Sequence, residues 1–142
     1  MTRFLLDTNI VSNATKPAPS EALAAWFAEQ LDGDLFISAL TLAEIQRGIL
    51  EKSPGKKRDL LERWFVGDDG LAVLFAGRIL PFDEHAAVIW ARLMAEGSAI
   101  GRPRSGFDML IAAVAEANGC VVVTDNERDF AAVPFINPMK AG

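Results

Sequence analysis

Val121-Val122-Val123-Thr124-Asp125-Asn126 is the stretch that decides the fold. An unbroken β-branched run, entered from Asn118-Gly119 and stopped by polar turn formers, has the pattern of a strand buried on both faces, as in a parallel sheet. Phe4-Leu5-Leu6-Asp7-Thr8-Asn9 has the same form at the amino end, an apolar run halted by an acid. In a parallel sheet the carboxyl ends of the strands and the amino ends of the following helices share one edge, where ligands bind. Asp7, Glu44, Asp108, Asp125 and Asp129 all fall where an apolar run stops or a helical pattern opens. Carboxylates gathered at one edge repel one another and resist ionisation unless a cation sits among them, so the pattern points to a hard metal ion.

Outward from these two runs, strands and helices alternate. Leu35-Phe36-Ile37 reads as a strand, followed by a helix carrying Leu42, Ile45 and Ile49 that fails near Ser53-Pro54-Gly55. Pro17-Ala18-Pro19-Ser20 punctuates before an amphipathic helix of about a dozen residues from Glu21, with Ser20 as N-cap. Lys56-Lys57-Arg58 begins a helix with Leu60, Leu61, Trp64 and Phe65 on one side, which Gly67-Asp68-Asp69-Gly70 interrupts; the reading over 66–78 stays open. Arg78-Ile79-Leu80-Pro81 is a third short strand, and Asp83 caps a helix whose face includes Ala87, Ile89, Trp90 and Leu93. Gly97 to Gly106, with Gly101, Pro103, Arg102 and Arg104, reads as a loop. Phe107, Leu110, Ile111 and Val114 trace a helical stripe ending at Asn118-Gly119, and a last strand lies near Phe135-Ile136. The expected fold is a small three-layer α/β domain, a parallel sheet with helices on both faces, spanning 1–142 as one domain.

Composition bounds the function. The 142 residues are 51% hydrophobic and 23% charged, ordinary for a globular chain with a real core. Cys120 is the single cysteine, which excludes an internal disulfide or a cysteine-rich zinc site, and its place beside the valine run predicts a buried, inert thiol. No apolar stretch has signal-peptide or membrane-spanning length, so the expected location is the cytoplasm. The net charge of −5 argues against a broad basic surface, although acids collected around a metal would leave the remaining surface near balance.

Each acid also has a structural explanation. Thr41-Leu42-Ala43-Glu44 and Ser105-Gly106-Phe107-Asp108 match the capping box, and Asn126-Glu127-Arg128-Asp129 matches it more loosely. Asp7 and Asp125 suit turns. Caps and turns accept serine, threonine and asparagine equally well, however, whereas successive sheet-edge positions here supply carboxylates. Oxygen-only ligation suits Mg²⁺ or Mn²⁺ rather than zinc. His85, the sole histidine, sits in the first turn of a helix and Cys120 in a strand, which leaves little for a Ser-His-Asp or Cys-His hydrolase. Neither glycine-rich phosphate cradle, Gly-x-x-x-x-Gly-Lys nor Gly-x-Gly-x-x-Gly, occurs.

Taken together, Leu5-Leu6-Asp7-Thr8-Asn9, Ser38-Ala39-Leu40-Thr41-Leu42-Ala43-Glu44, Phe107-Asp108 opening an alanine-rich helix, and Val123-Thr124-Asp125-Asn126-Glu127-Arg128-Asp129-Phe130 resemble a PIN-domain ribonuclease. With Gly77-Arg78-Ile79-Leu80-Pro81-Phe82-Asp83, the likeness extends to VapC-type toxins of toxin-antitoxin pairs and covers nearly the whole chain. The resemblance implies that Asp7, Glu44 and Asp108 surround Mg²⁺ or Mn²⁺, with Thr8 a supporting hydroxyl. At the fourth position it points first to Asn126, with Asp125 or Asp129 able to supply the charge instead. It implies metal-dependent hydrolysis of RNA, a homodimer, and a cognate antitoxin protein that blocks the site. Substrate approach to an acidic pocket calls for flanking cations, and Arg47, Arg102, Arg104 and Arg128 lie near the acids in sequence. The helical stripes Leu23-Trp26-Phe27 and Leu60-Leu61-Trp64-Phe65 read as core that could expose a part for dimerisation or the antitoxin.

Two rival readings use the same acids. A metal-dependent phosphatase or receiver-like domain also places aspartates at strand ends, but it needs a lysine after a late strand, and none occurs between Lys57 and Lys140. An acidic module binding Ca²⁺ or a basic partner without catalysis is the other.

Overall fold

Strand β1 (Arg3–Leu6) runs through the centre of a five-stranded sheet ordered β3-β2-β1-β4-β5, with β2 (Leu35–Ser38), β3 (Ile79–Leu80), β4 (Cys120–Val123) and β5 (Phe135–Ile136) all parallel to their neighbours. The computed structural model describes residues 2–16 and 18–140, so Pro17 of the expected break lies outside the described residues. Between the strands run α1 (Thr8–Ala14), α2 (Glu21–Ala28), α3 (Ala39–Leu50), α4 (Lys56–Val66), α5 (Leu71–Leu74), α6 (Glu84–Ala99) and α7 (Gly106–Ala117).

Side-chain alternation along the strands divides the interior in two. Leu5, Phe36 and Val122 face one way and pack with Leu93 of α6 and with Met109, Ala112 and Ala113 of α7. Leu6, Leu35, Ile37 and Val123 face the other way, against Ile10 and Val11 of α1, Leu23 of α2 and Leu71 of α5. Helices thus cover both faces, as the continuous apolar strands required. Burying each Leu, Ile or Val side chain fully contributes roughly 1.5–3 kcal/mol. Among the described residues no helix is long and apolar enough to cross a membrane.

Local chemistry explains most boundaries. Ser20, Asp83 and Ser105 cap α2, α6 and α7, accepting from the amides of Leu23, Ala86 and Asp108. Three details depart from expectation, and a fourth fills the region left open. Helix α1 was not anticipated: Asp7 stops β1 by becoming an N-cap, accepting from the Asn9 amide, and Ile10 and Val11 then face the core. Helix α2 is shorter than expected, at 8 residues. The open region holds the single helical turn α5. Helix α6 continues through Gly97 to Ala99, into the segment read as loop. Glycine is required there by a close approach: a β-carbon on Gly97 would lie 2.9 Å from Arg104 Cγ and 3.0 Å from Arg102 O.

The chain steps outward from β1 to β2 and β3, then crosses back to lay β4 and β5 on the other side. The β1–β4 seam is therefore the topological switch point, and its carboxyl end is where an open α/β sheet leaves a crevice.

Candidate metal centre

Asp7 leaves β1 at that crevice, and its amide still donates to Val123 O of β4 at 3.0 Å. The residue is only 5% exposed. Oδ1 accepts the Asn9 amide at 2.9 Å and Oδ2 accepts the Thr124 hydroxyl at 2.5 Å. Thr124 Oγ1 in turn accepts the Asn126 amide at 2.9 Å, so one buried hydroxyl ties the two strand ends together. Burial raises the Asp7 pKa; the Thr124 and Asn9 hydrogen bonds oppose the rise, and the charges of Asp125 and Glu44 reinforce it.

Asp108 sits in the first turn of α7, its amide held by Ser105 Oγ at 3.3 Å. Half of the expected capping box is therefore real. Partial burial pushes this carboxyl up to about 6; the Ser105 hydroxyl resists, while Asp129, by hydrogen bond and charge, and Asp7, by charge, add to it. Asp129 Oδ2 accepts the Asn126 side-chain amide at 2.8 Å. Asn126 thus directs its NH₂ at Asp129, and Asp129 stands against Asp108. Asp125, next to them, is exposed.

Glu44 is not the capping-box glutamate that its spacing from Thr41 predicted. The N-cap of α3 is Ser38, whose Oγ accepts the Thr41 amide at 3.2 Å, so the helix starts earlier and Glu44 falls in its second turn. Thr41 is buried instead, its hydroxyl accepting from Thr8 Oγ1 at 3.2 Å and Ser38 Oγ at 3.4 Å. That hydroxyl chain joins the start of α1 to the start of α3. Glu44 is exposed and has no hydrogen bond or ion pair among the described residues, yet its charge reaches Asp7. Capping leaves Glu44 without an explanation.

Carboxylates from β1, α3, α7 and the turn after β4 therefore influence one another at one end of the sheet. Among the described residues no three acidic, histidine or cysteine side chains close around a single point. Mg²⁺ needs no such cage, since it keeps several waters and takes one or two carboxylates directly, with substrate phosphate completing its shell. The donors are oxygen only, and two of the acids carry raised pKa values that a nearby cation would relieve. The residues fit Mg²⁺ or Mn²⁺ in donor chemistry.

The remaining sequence candidates separate cleanly. Arg47 is exposed and pairs with Glu51 at 3.0 Å. Arg104 donates to Leu93 O at 2.6 Å and lies 3.5 Å from Glu96, so it braces a loop. Arg102 and Arg128 line a polar cleft of about 900 Å³ together with Arg104, Ser105, Asn126 and Asp129; of the site acids it reaches Asp129 and not Asp7, Glu44 or Asp108. His85 is exposed on α6, and burial pushes the Cys120 thiol up, away from the reactive thiolate. A second, apolar cleft of about 450 Å³, between α1, α2 and α5, touches none of Asp7, Glu44 and Asp108. Sequence reading missed the bonding roles of Thr124 and Thr41. Thr124 was findable, since a threonine one residue past the β4 valines comes level with Asp7 once β1 and β4 are paired in register.

A five-stranded parallel sheet with Asp7 just past its central strand and Asp108 opening a covering helix places the chain in the α/β class with acids at the carboxyl edge of the sheet. The chain belongs to the PIN domain family, whose model matches residues 4–136. It is 36% identical to "Toxin FitB" of Neisseria gonorrhoeae over 137 residues, 95% of this chain and 97% of the relative. Identity is also 36% to "VapC ribonuclease Y4jK" of Sinorhizobium fredii, covering 95% and 96% of the two chains. The crystal structure of FitAcB from Neisseria gonorrhoeae superposes with a TM-score of 0.87 at 36% identity, covering 95% of this chain and 97% of that one.

Proposed function

We infer that this chain is an endoribonuclease, hydrolysing RNA phosphodiesters with Mg²⁺ or Mn²⁺ as the toxin of a toxin-antitoxin pair. The carrying observation is that Asp7, at the β1–β4 switch point, lies within electrostatic reach of Glu44 and Asp108, and Asp108 of Asp129; membership of the PIN family and similarity to a VapC ribonuclease support the reading. Asp7 and Asp108 are the principal metal carboxylates in this reading, and Glu44 lends charge from α3. For the fourth place the hydrogen bonding favours Asp129, with Asn126 holding its carboxylate in position and the exposed Asp125 contributing field only.

A divalent ion bound here would activate water and stabilise charge on the phosphoryl group and the departing oxygen. The chain's own part is to hold carboxylates rigidly where that charge develops. Thr124 and Asn9 fix both Asp7 oxygens, so Asp7 cannot rotate away from the crevice. In this reading a metal-activated water is the nucleophile. The bond to the 3′-oxygen breaks, giving a 5′-phosphate and a 3′-hydroxyl.

Similarity to toxins whose solved structures are toxin-antitoxin complexes supports an antitoxin partner; a homodimer, a cytoplasmic location and one domain over 1–142 complete the reading. The exposed apolar side chains Leu60, Val66, Val73 and Leu74 on and beside α4 and α5 offer uncovered surface for such contacts. Metal-stripped protein incubated with total RNA should leave it intact, and added Mg²⁺ should produce fragments bearing 5′-phosphates. Fragments that form equally in chelator, or that carry 2′,3′-cyclic ends, would remove the metal-hydrolysis reading. Retained metal binding with intact RNA would favour the non-catalytic acidic module.

A further inference from the structure

Most arginines of this chain are engaged. Arg3 donates to Asn118 O and covers the Phe36 ring; Arg78 bonds the carbonyls of Asp32, Leu35 and Leu74. Arg47, Arg58 and Arg92 pair with Glu51, Glu62 and Glu116, and Arg104 binds Leu93 O. Among the described residues this leaves Arg63 on α4, and Arg102 and Arg128, without side-chain partners. Arg102 and Arg128 come from segments 26 positions apart, yet both line the polar cleft that also reaches Asp129. Both guanidinium groups are thus free to meet a phosphate in a cleft whose wall includes Asp129, which is linked by charge to Asp108.

The loop carrying Arg102 is also held down. Its amide donates to Gly97 O at 2.9 Å, and two residues on, Arg104 reaches back to Leu93 O. Gly97 permits that seat, since any β-carbon would strike Arg104 and the Arg102 carbonyl. Arg102 is therefore presented by a braced loop while its own side chain stays exposed. Arg128 is presented by the turn that Thr124 and Asn126 hold beside Asp7 and Asp129.

We propose that Arg102 and Arg128 form a phosphate grip along this cleft, binding the sugar-phosphate backbone of single-stranded RNA next to the scissile bond. The inference rests on the endoribonuclease reading. The grip supplies attraction that the acids cannot: it binds ground state and transition state alike, so its loss appears in KM rather than kcat. Each phosphate contact removed from a single strand lowers the slope of log affinity against log salt by about 0.7.

The test compares the intact chain with Arg102→Ala/Arg128→Ala and with Arg63→Ala, an exposed arginine outside the cleft. Cleavage of a single-stranded RNA with Mg²⁺ is followed across salt concentrations. The double variant should raise KM on the order of tenfold with kcat within about twofold, and flatten the salt slope by about 1.4. Arg102→Lys/Arg128→Lys, which keeps the charge and loses the fork, should fall between. Wild-type cleavage with unchanged KM and slope in the double variant would overturn the grip and leave the nuclease reading intact; so would equal loss in Arg63→Ala. Wild-type protein that cuts no RNA would bring down both.

Discussion

Asp7→Asn should reduce RNA cleavage by about three orders of magnitude or more while the protein still folds, because a metal-centred stabilisation of several kcal/mol is lost at about 1.4 kcal/mol per decade. Asparagine is as good an N-cap as aspartate, so α1 keeps its start; the loss of the acceptor facing the Thr124 hydroxyl is offset by removal of a buried charge whose ionisation burial opposes. Asp129→Asn should behave similarly, whereas Asp125→Asn should lose only a few-fold, since that exposed carboxylate acts through its field. Steady-state cleavage beside thermal melts of the three variants checks this. Loss of activity that tracks loss of fold would return Asp7 to the role of a turn former.

Asp108→Asn separates site from scaffold in the opposite sense: it should abolish cleavage and stabilise the protein at neutral pH. The folded-state pKa of Asp108 is raised to about 6 from an ordinary 3.8, chiefly by burial and then through Asp129 and Asp7. The folded protein therefore holds this proton at pH values where the unfolded chain has released it. Ionised Asp108 costs stability above about pH 6, and the cost fades as pH falls toward 4. The melting temperature of Asp108→Asn should exceed that of the parent at pH 8 by a few degrees at most, because the carboxyl is only partly buried and solvent screens it. The difference should close by pH 4. Mg²⁺ should raise the melting temperature of the parent at pH 8 more than that of the variant. A variant less stable than its parent at pH 8 would show that Asp108 serves mainly to hold the start of α7.

Legibility followed the physics at each position. The strands were readable because apolar runs of three or four residues bounded by turn formers have few other uses, and β1 and β4 lie where those runs do. Asp83 and Ser20 were readable as caps because capping is local. Helix α1 was not, since Asp7 ends a strand and starts a helix at the same atom, and its seven residues Thr8–Ala14 carry two asparagines and a β-branched pair with weak helical propensity. The reach of α6 past Gly97 was hidden because a glycine beside Gly101 and Pro103 looks like loop until the packing of Arg104 against it is known. Glu44 shows the converse: Thr41-x-x-Glu44 fits a capping template locally, but Ser38 takes the cap because β2 ends there. Sequence put Asn126 first at the fourth position, with Asp125 or Asp129 as alternatives; that the Asn126 side-chain amide donates to Asp129 was not legible, because it depends on side-chain direction.

The account as a whole requires a divalent ion at the carboxyl end of the β1–β4 seam. The most direct measurement is anomalous scattering from crystals soaked in Mn²⁺. It should show a peak bonded at about 2.0–2.3 Å to carboxylate oxygen of Asp7 or Asp108, with water filling the remaining positions. A peak bound elsewhere, or none at Mn²⁺ concentrations that support cleavage, would contradict it.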